Sequence, residues 1–199
     1  MSKLNVAEVM NQKFILELNG ALAMENAGIE RLQARINETL IPEAKHQMEK
    51  HLQESKVHQE RLHQLINTLG GDPTSEKLGL PIPQYPASML ESMNNTMTRQ
   101  EWELKRAEED LINEDAETLC YLMLIQKAQV AGGIFQNTIE PLSLNMKDEA
   151  KMADWIKTNS PSMLSKLWPE IQQAISSATS PTSVPDSAPP THSSSSQSQ

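Results

Sequence analysis

Residues 72–97, "DPTSEKLGLPIPQYPASMLESMNNTM", carry four prolines and no helical period, and they separate two long stretches that keep one throughout. Before them, Phe14, Leu18, Leu22, Ile29, Leu32 and Ile36 recur at steps of three, four and seven, which predicts a first helix from about Val6 to Leu40. Pro42 suits the first turn of a second helix, which runs to Leu69 and stops at Gly70-Gly71. After the proline-rich stretch, Leu104, Leu111, Tyr121, Leu122, Ile125 and Ala128 predict a third helix over about Thr98 to Val130, again closed by a glycine pair, Gly132-Gly133. A fourth follows from about Ile134 to Lys157, begun or kinked near Pro141. Short connections make antiparallel neighbours, so the chain reads as two helical hairpins joined by one long crossover.

"NSPSMLSKLWPEIQQAI" predicts a short C-terminal helix, interrupted at Pro169. Beyond Ser176 the sequence is Ser/Pro-rich with almost nothing to bury. The expected organisation is therefore an all-α bundle domain over 1–176 and a disordered tail over 177–199. Scarce aromatics (4% of residues) argue against an all-β alternative. A net charge of −9 with interspersed signs offers no concentrated basic face, so no nucleic-acid partner is expected. With one cysteine, Cys120, no internal disulfide can form, and no apolar run approaches a membrane span. The reading is a cytoplasmic protein without a membrane partner.

The stripes are not uniformly apolar. In "HLQESKVHQERL", residues 51–62, His51, Glu54 and His58 share a face that becomes apolar at Leu62, Leu65 and Leu69. Glu25 sits seven residues from both Leu18 and Leu32, and Glu149 seven from both Leu142 and Ile156. Glu114 and Glu117 lie on the third helix between Leu111 and Tyr121. At 1.5 Å rise per residue, Glu25 and Glu54 stand roughly 24 and 20 Å from the first turn. Glu117 and Glu149 stand roughly 24 Å from the second, and Glu114 roughly 28 Å. One carboxylate per helix at one level needs a strong counter-charge. Two carboxylate-bridged metal ions, iron or manganese, with histidine completing the shell would supply it. The candidate metal ligands are Glu25, Glu54, Glu149 and either Glu117 or Glu114, with His51 or His58 as the nitrogen donor. Solvated glutamates and hydrogen-bonded core histidines are the competing reading of the same residues.

These segments resemble the YciE/YciF-like stress-protein branch of the ferritin-like superfamily, whose bundles have this one-crossover connectivity. "AMENAGIERL" is similar to its first-helix glutamate segment and "HLQESKVHQERL" to its H-L-x-E-[ST] segment. "NEDAETLCYLMLI" is similar to its E-x-x-E-x-x-x-Y stretch, and "KDEAKMADWI" to the acidic start of its fourth helix. The resemblance spans roughly residues 5–160. It implies a ferritin-like four-helix bundle with a dinuclear Fe or Mn site, stress protection through oxygen or peroxide chemistry or iron handling, and a homo-oligomer, a dimer. The chain departs from the broad Glu-x-x-His pattern: Val57 follows Glu54 and Met152 follows Glu149 where histidines would stand. A metal-free bundle that self-associates as a scaffold is the alternative from a different functional class.

Overall fold

Asn5 and Thr98 start the two 33-residue helices with reciprocal caps. The Asn5 side chain accepts from the Glu8 N–H while the Glu8 carboxylate accepts from the Asn5 N–H, and Thr98 and Glu101 repeat the pattern. The computed structural model describes residues 5–179. Its helices are α1 (Val6–Glu38), α2 (Pro42–Thr68), α3 (Ala87–Thr96), α4 (Arg99–Ala131) and α5 (Ile139–Thr179). α2 ends where Gly70 takes a φ of 82°, and the Gly71 N–H donates to the Ile66 carbonyl at 2.9 Å. Gly132 and Gly133, with φ of 67° and 56°, stop α4 and lead into a 3-10 turn over Gly133–Thr138.

The protein is all-helical, and α1 packs on α2 and α4 on α5 as the antiparallel pairs of a bundle. Three details differ from the sequence reading, one of them the short helix α3 inside the crossover. The fourth helix begins after the 3-10 turn, which places Pro141 in its first turn, where the missing N–H costs nothing. The C-terminal segment is not a separate helix: α5 runs unbroken for 41 residues through Pro161 and Pro169. A proline inside a helix costs about 3 kcal/mol. Burial of Met163, Leu167 and Ile171 against Ile41, Ala44 and Met48 offsets it, and Ser160 and Ser165 hydroxyls bond nearby carbonyls. Of the expected disordered tail, residues 180–199 lie outside the described residues.

The crossover contains α3, none of whose residues is buried. Its first half is tied to α1. Asn19 bonds the backbone of Asp72 and Thr74, Asn26 donates to the Glu76 carbonyl, and the Leu78 N–H donates to the Ala23 carbonyl.

Two apolar clusters fill the bundle. One gathers Phe14, Leu18, Leu22, Leu62, Ile66, Ile125 and Leu142 towards the glycine turns; the other gathers Leu32, Ile41, Met48, Met152 and Ile156 towards the opposite end. Beside the second cluster a buried ion group joins α1 to α4. The Arg35 guanidinium lies 3.1 Å from Glu103 and 2.8 Å from Asp110, and Glu103 also accepts from Thr39 and the Leu40 N–H. Between the clusters lies a layer of buried polar side chains. Among the described residues, no helix is long and apolar enough to cross a membrane.

Candidate metal centre

The buried edge of α2 steps from Met48 to His51, Ser55, His58 and Leu62, so helical periodicity alone carries both histidines inward. α1 delivers Glu25 between Ala21 and Gly28. α4 delivers Asn113, Glu114, Glu117 and Tyr121, and α5 delivers Asn145 and Glu149. His58 and Glu149 are 0% exposed, and Glu25, His51, Glu114 and Glu117 no more than 3%.

Two groups form within this layer. His58 Nδ1 lies 2.7 Å from Glu149 Oε1 and 3.1 Å from Glu25 Oε1. His51 Nε2 lies 2.9 Å from Glu114 Oε2 and 3.1 Å from Glu149 Oε2. Within each trio the donor atoms all fall within 4.8 Å of one another. Glu149 belongs to both and turns one oxygen to each histidine. Two buried trios of nitrogen and oxygen donors sharing a carboxylate have the composition and spacing to hold metal ions.

Glu117 is in neither trio but borders them. Asn113 donates to its Oε2 at 3.1 Å, and a Cβ on Gly28 would stand only 3.1 Å from its Oε1, so the glycine leaves room for this carboxylate. Glu54 lies outside both trios, at the rim. Its Oε2 is 3.3 Å from His51 Nδ1, the ring nitrogen turned away from the layer, and its Oε1 is 3.3 Å from the Lys151 ammonium. Asp148 occupies the corresponding place beside His58, its Oδ2 3.3 Å from Nε2.

Electrostatics set the members of the layer apart. Burial followed by repulsion from Glu149 raises Glu25. Burial and the charges of Glu149, Glu25 and Glu114 push Glu117 well above the usual carboxylate range. Burial pushes Glu114 up to about 8 against the opposing pull of His51. Burial acts on Glu149 in the same direction, but the two imidazoles outweigh it and hold Glu149 well below the usual range. For the histidines burial works downward and the carboxylates win: Glu114 and Glu149 push His51 up to about 12, and Glu149 and Glu25 push His58 up to about 10.

Whether the residues suit a cation can be judged from the oxygens that lack a directed hydrogen bond. Both oxygens of Glu149, Glu114 Oε2 and Glu117 Oε1 are buried without one. The contacts of Glu149 and Glu114 with the histidine nitrogens, at 2.7 to 3.1 Å, are ion-pair contacts. Buried acceptors are normally satisfied, and a clutch of them facing one another fits a cation better than protons. The donor set fits.

Three polar residues that sequence reasoning passed over support Glu25. Tyr121 Oη donates to Glu25 Oε1 at 2.5 Å, Asn145 Nδ2 donates to Tyr121 Oη at 3.1 Å, and Arg61 donates to Asn145 Oδ1 at 2.9 Å. Tyr121 carries a signal in its stripe position on the third helix; Asn145, three residues from Leu142 and four from Glu149, continues the α5 stripe.

Residues 9–167 match a family described as a domain of unknown function (DUF892). The fold is similar to the crystal structure of protein XCC3681 from Xanthomonas campestris pathovar campestris, with a TM-score of 0.65 and 18% identity, covering 82% of this chain and 99% of that one. At that identity the likeness speaks to the fold alone. No curated protein shows significant sequence similarity to the chain.

Proposed function

The chain belongs to the DUF892 family, the YciE/YciF-like group of the ferritin-like superfamily, and on that premise we propose that its mid-bundle layer is a dinuclear iron or manganese site serving stress protection, through oxygen or peroxide chemistry or iron handling. The observation that carries the reading is Glu149, fully buried and offering one oxygen to each of two histidine-containing trios. Glu25, His58 and Glu149 would hold one ion; His51, Glu114 and Glu149 would hold the other, with Glu117 as a further carboxylate beside both. Charge supports the count: the layer's four carboxylates, Glu25, Glu114, Glu117 and Glu149, match two divalent cations. Bound iron or manganese supplies one-electron redox chemistry towards oxygen or peroxide.

The chain's own residues do the rest. Tyr121 and Asn145 fix Glu25, Glu54 and Asp148 hold the outward nitrogens of the histidines, and the two apolar clusters keep bulk water out. Self-association as a dimer is part of the same reading. It is favoured by Leu119, Leu122 and Met123, exposed apolar side chains at steps of three and four on α4. Sedimentation analysis tests it directly.

Metal content decides between this function and a metal-free scaffold. Protein made in medium containing both metals should carry close to two ions per chain, lost in the Glu25→Ala/Glu149→Ala variant. A chain that folds fully under chelator and takes up neither iron nor manganese would leave the scaffold reading in place.

A further inference from the structure

We propose that Glu54 and Asp148 are positioning residues that fix opposite tautomers on the two buried histidines, so that His51 presents Nε2 to the site and His58 presents Nδ1. The inference rests on the metal-site reading above and deepens it. An imidazole that binds a cation gives up the proton on the binding nitrogen and keeps the other; the acceptor facing that second nitrogen decides which is which. Around His51, Glu54 Oε2 stands 3.3 Å from Nδ1, while Glu114 and Glu149 stand at 2.9 and 3.1 Å from Nε2. Around His58 the arrangement is inverted. Asp148 Oδ2 stands 3.3 Å from Nε2, while Glu149 and Glu25 stand at 2.7 and 3.1 Å from Nδ1.

Both outer carboxylates lie on the seam between α2 and α5, and both belong to the surface as much as to the layer. Their side chains are 19% and 27% exposed. Each is held from outside by cations: Glu54 by Lys151 at 3.3 Å and Lys50 at 3.8 Å, Asp148 by Arg61 at 3.9 Å. A carboxylate so held keeps its place while the imidazole turns its other nitrogen inward. This also gives Glu54 a role that its position permits. Its contact is with the far nitrogen of His51, on the other side of the ring from Glu114 and Glu149.

The test uses Zn²⁺ alone as a diamagnetic probe on the full chain with ¹⁵N-labelled histidine. Long-range ¹H–¹⁵N correlation reads which nitrogen of each ring keeps its proton. In the loaded wild type, His51 should keep Nδ1–H and His58 should keep Nε2–H. Glu54→Gln and Asp148→Asn retain an acceptor oxygen but lose the charge, so each should weaken Zn²⁺ binding about ten- to a hundredfold with stoichiometry unchanged. Glu54→Leu should disturb the nitrogen pattern of His51 alone, and Asp148→Leu that of His58 alone. If either leucine variant fails to fold, the Gln and Asn affinities still decide. Zn²⁺ held by both rings through the same nitrogen, or unchanged affinity in both amide variants, overturns the proposal while leaving the metal site standing. No Zn²⁺ uptake by the wild type overturns both.

Discussion

Glu149 and Glu117 share one layer and one side chain, yet glutamine at each should act differently on the metal-free protein. Glu149 is held ionised by His51 and His58, so its stabilising contribution is present in full above pH 4.5 and lost only as pH falls through its depressed folded value. Glu149→Gln at pH 7 leaves two buried imidazoliums without their shared counter-charge and should cost about 3 kcal/mol or more. Glu117 is pushed well above the usual range by burial and by its carboxylate neighbours, so the fold does not lean on its charge. Glu117→Gln should therefore shift stability by less than about 1 kcal/mol, in either direction. Thermal melts under chelator compare the two; equal losses would contradict the electrostatic assignment. At this scale the sequence was legible to within one residue. Its periodicity placed Glu25, Glu114, Glu117, Glu149, His51 and His58 on inward stripes. On α2, though, residue 54 follows His51 at a step of three and residue 55 at a step of four, and a pattern of threes and fours cannot choose between them. Ser55 is buried and Glu54 sits at the rim, because the helix is rolled by one position towards its histidines.

Helix connections carry the next set of consequences. Arg35 holds Glu103 and Asp110 of α4 from the end of α1, at a corner where Glu103 also accepts from Thr39. Burial would raise Glu103, but Thr39 and Arg35 bring it below the usual range, so the carboxylate stays charged. Arg35→Ala would strand buried charge and should destabilise by about 3–5 kcal/mol in urea melts, with or without metal. A loss below about 1 kcal/mol would mean that the group is solvated in solution. The crossover divides unequally: residues 72–78 are bonded to α1, whereas α3 buries nothing. The first proteolytic cut within the described residues should therefore fall between residues 79 and 97. Mass analysis showing a first cut near Gly132 would contradict this. Composition located the crossover but hid α3 among prolines. It also marked Pro169 as a helix breaker, because local propensity takes no account of the core that Met163, Leu167 and Ile171 enter.

For the whole molecule, the layer predicts how stability and pH are tied together. His51 and His58 have folded values pushed up to about 12 and about 10 from an ordinary 6.5, and Glu114 up to about 8 from 4.5. Groups raised in the folded state contribute below their ordinary value and lose that contribution as pH climbs through the folded one. Chelated protein should thus be most stable near pH 4.5, where Glu149 still contributes in full and the raised groups have lost least, and its melting temperature should fall towards pH 9. Metal binding displaces the same protons, so added Mn²⁺ should raise the melting temperature more at pH 8 than at pH 6. A flat chelated profile would contradict the assignment. The two-hairpin, one-crossover architecture was readable because glycine pairs and a proline-rich stretch punctuate it. The Arg35 clamp was not readable, because a charged residue on a stripe looks like the end of the stripe. The complete burial of His58 and Glu149 has one further consequence, for exchange rather than affinity. With both residues sealed from solvent, release of an ion to chelator should require α2 and α5 to part and should follow the timescale of local unfolding. The ion found after purification would then be a record of what surrounded the chain as it folded, more than of what it binds best.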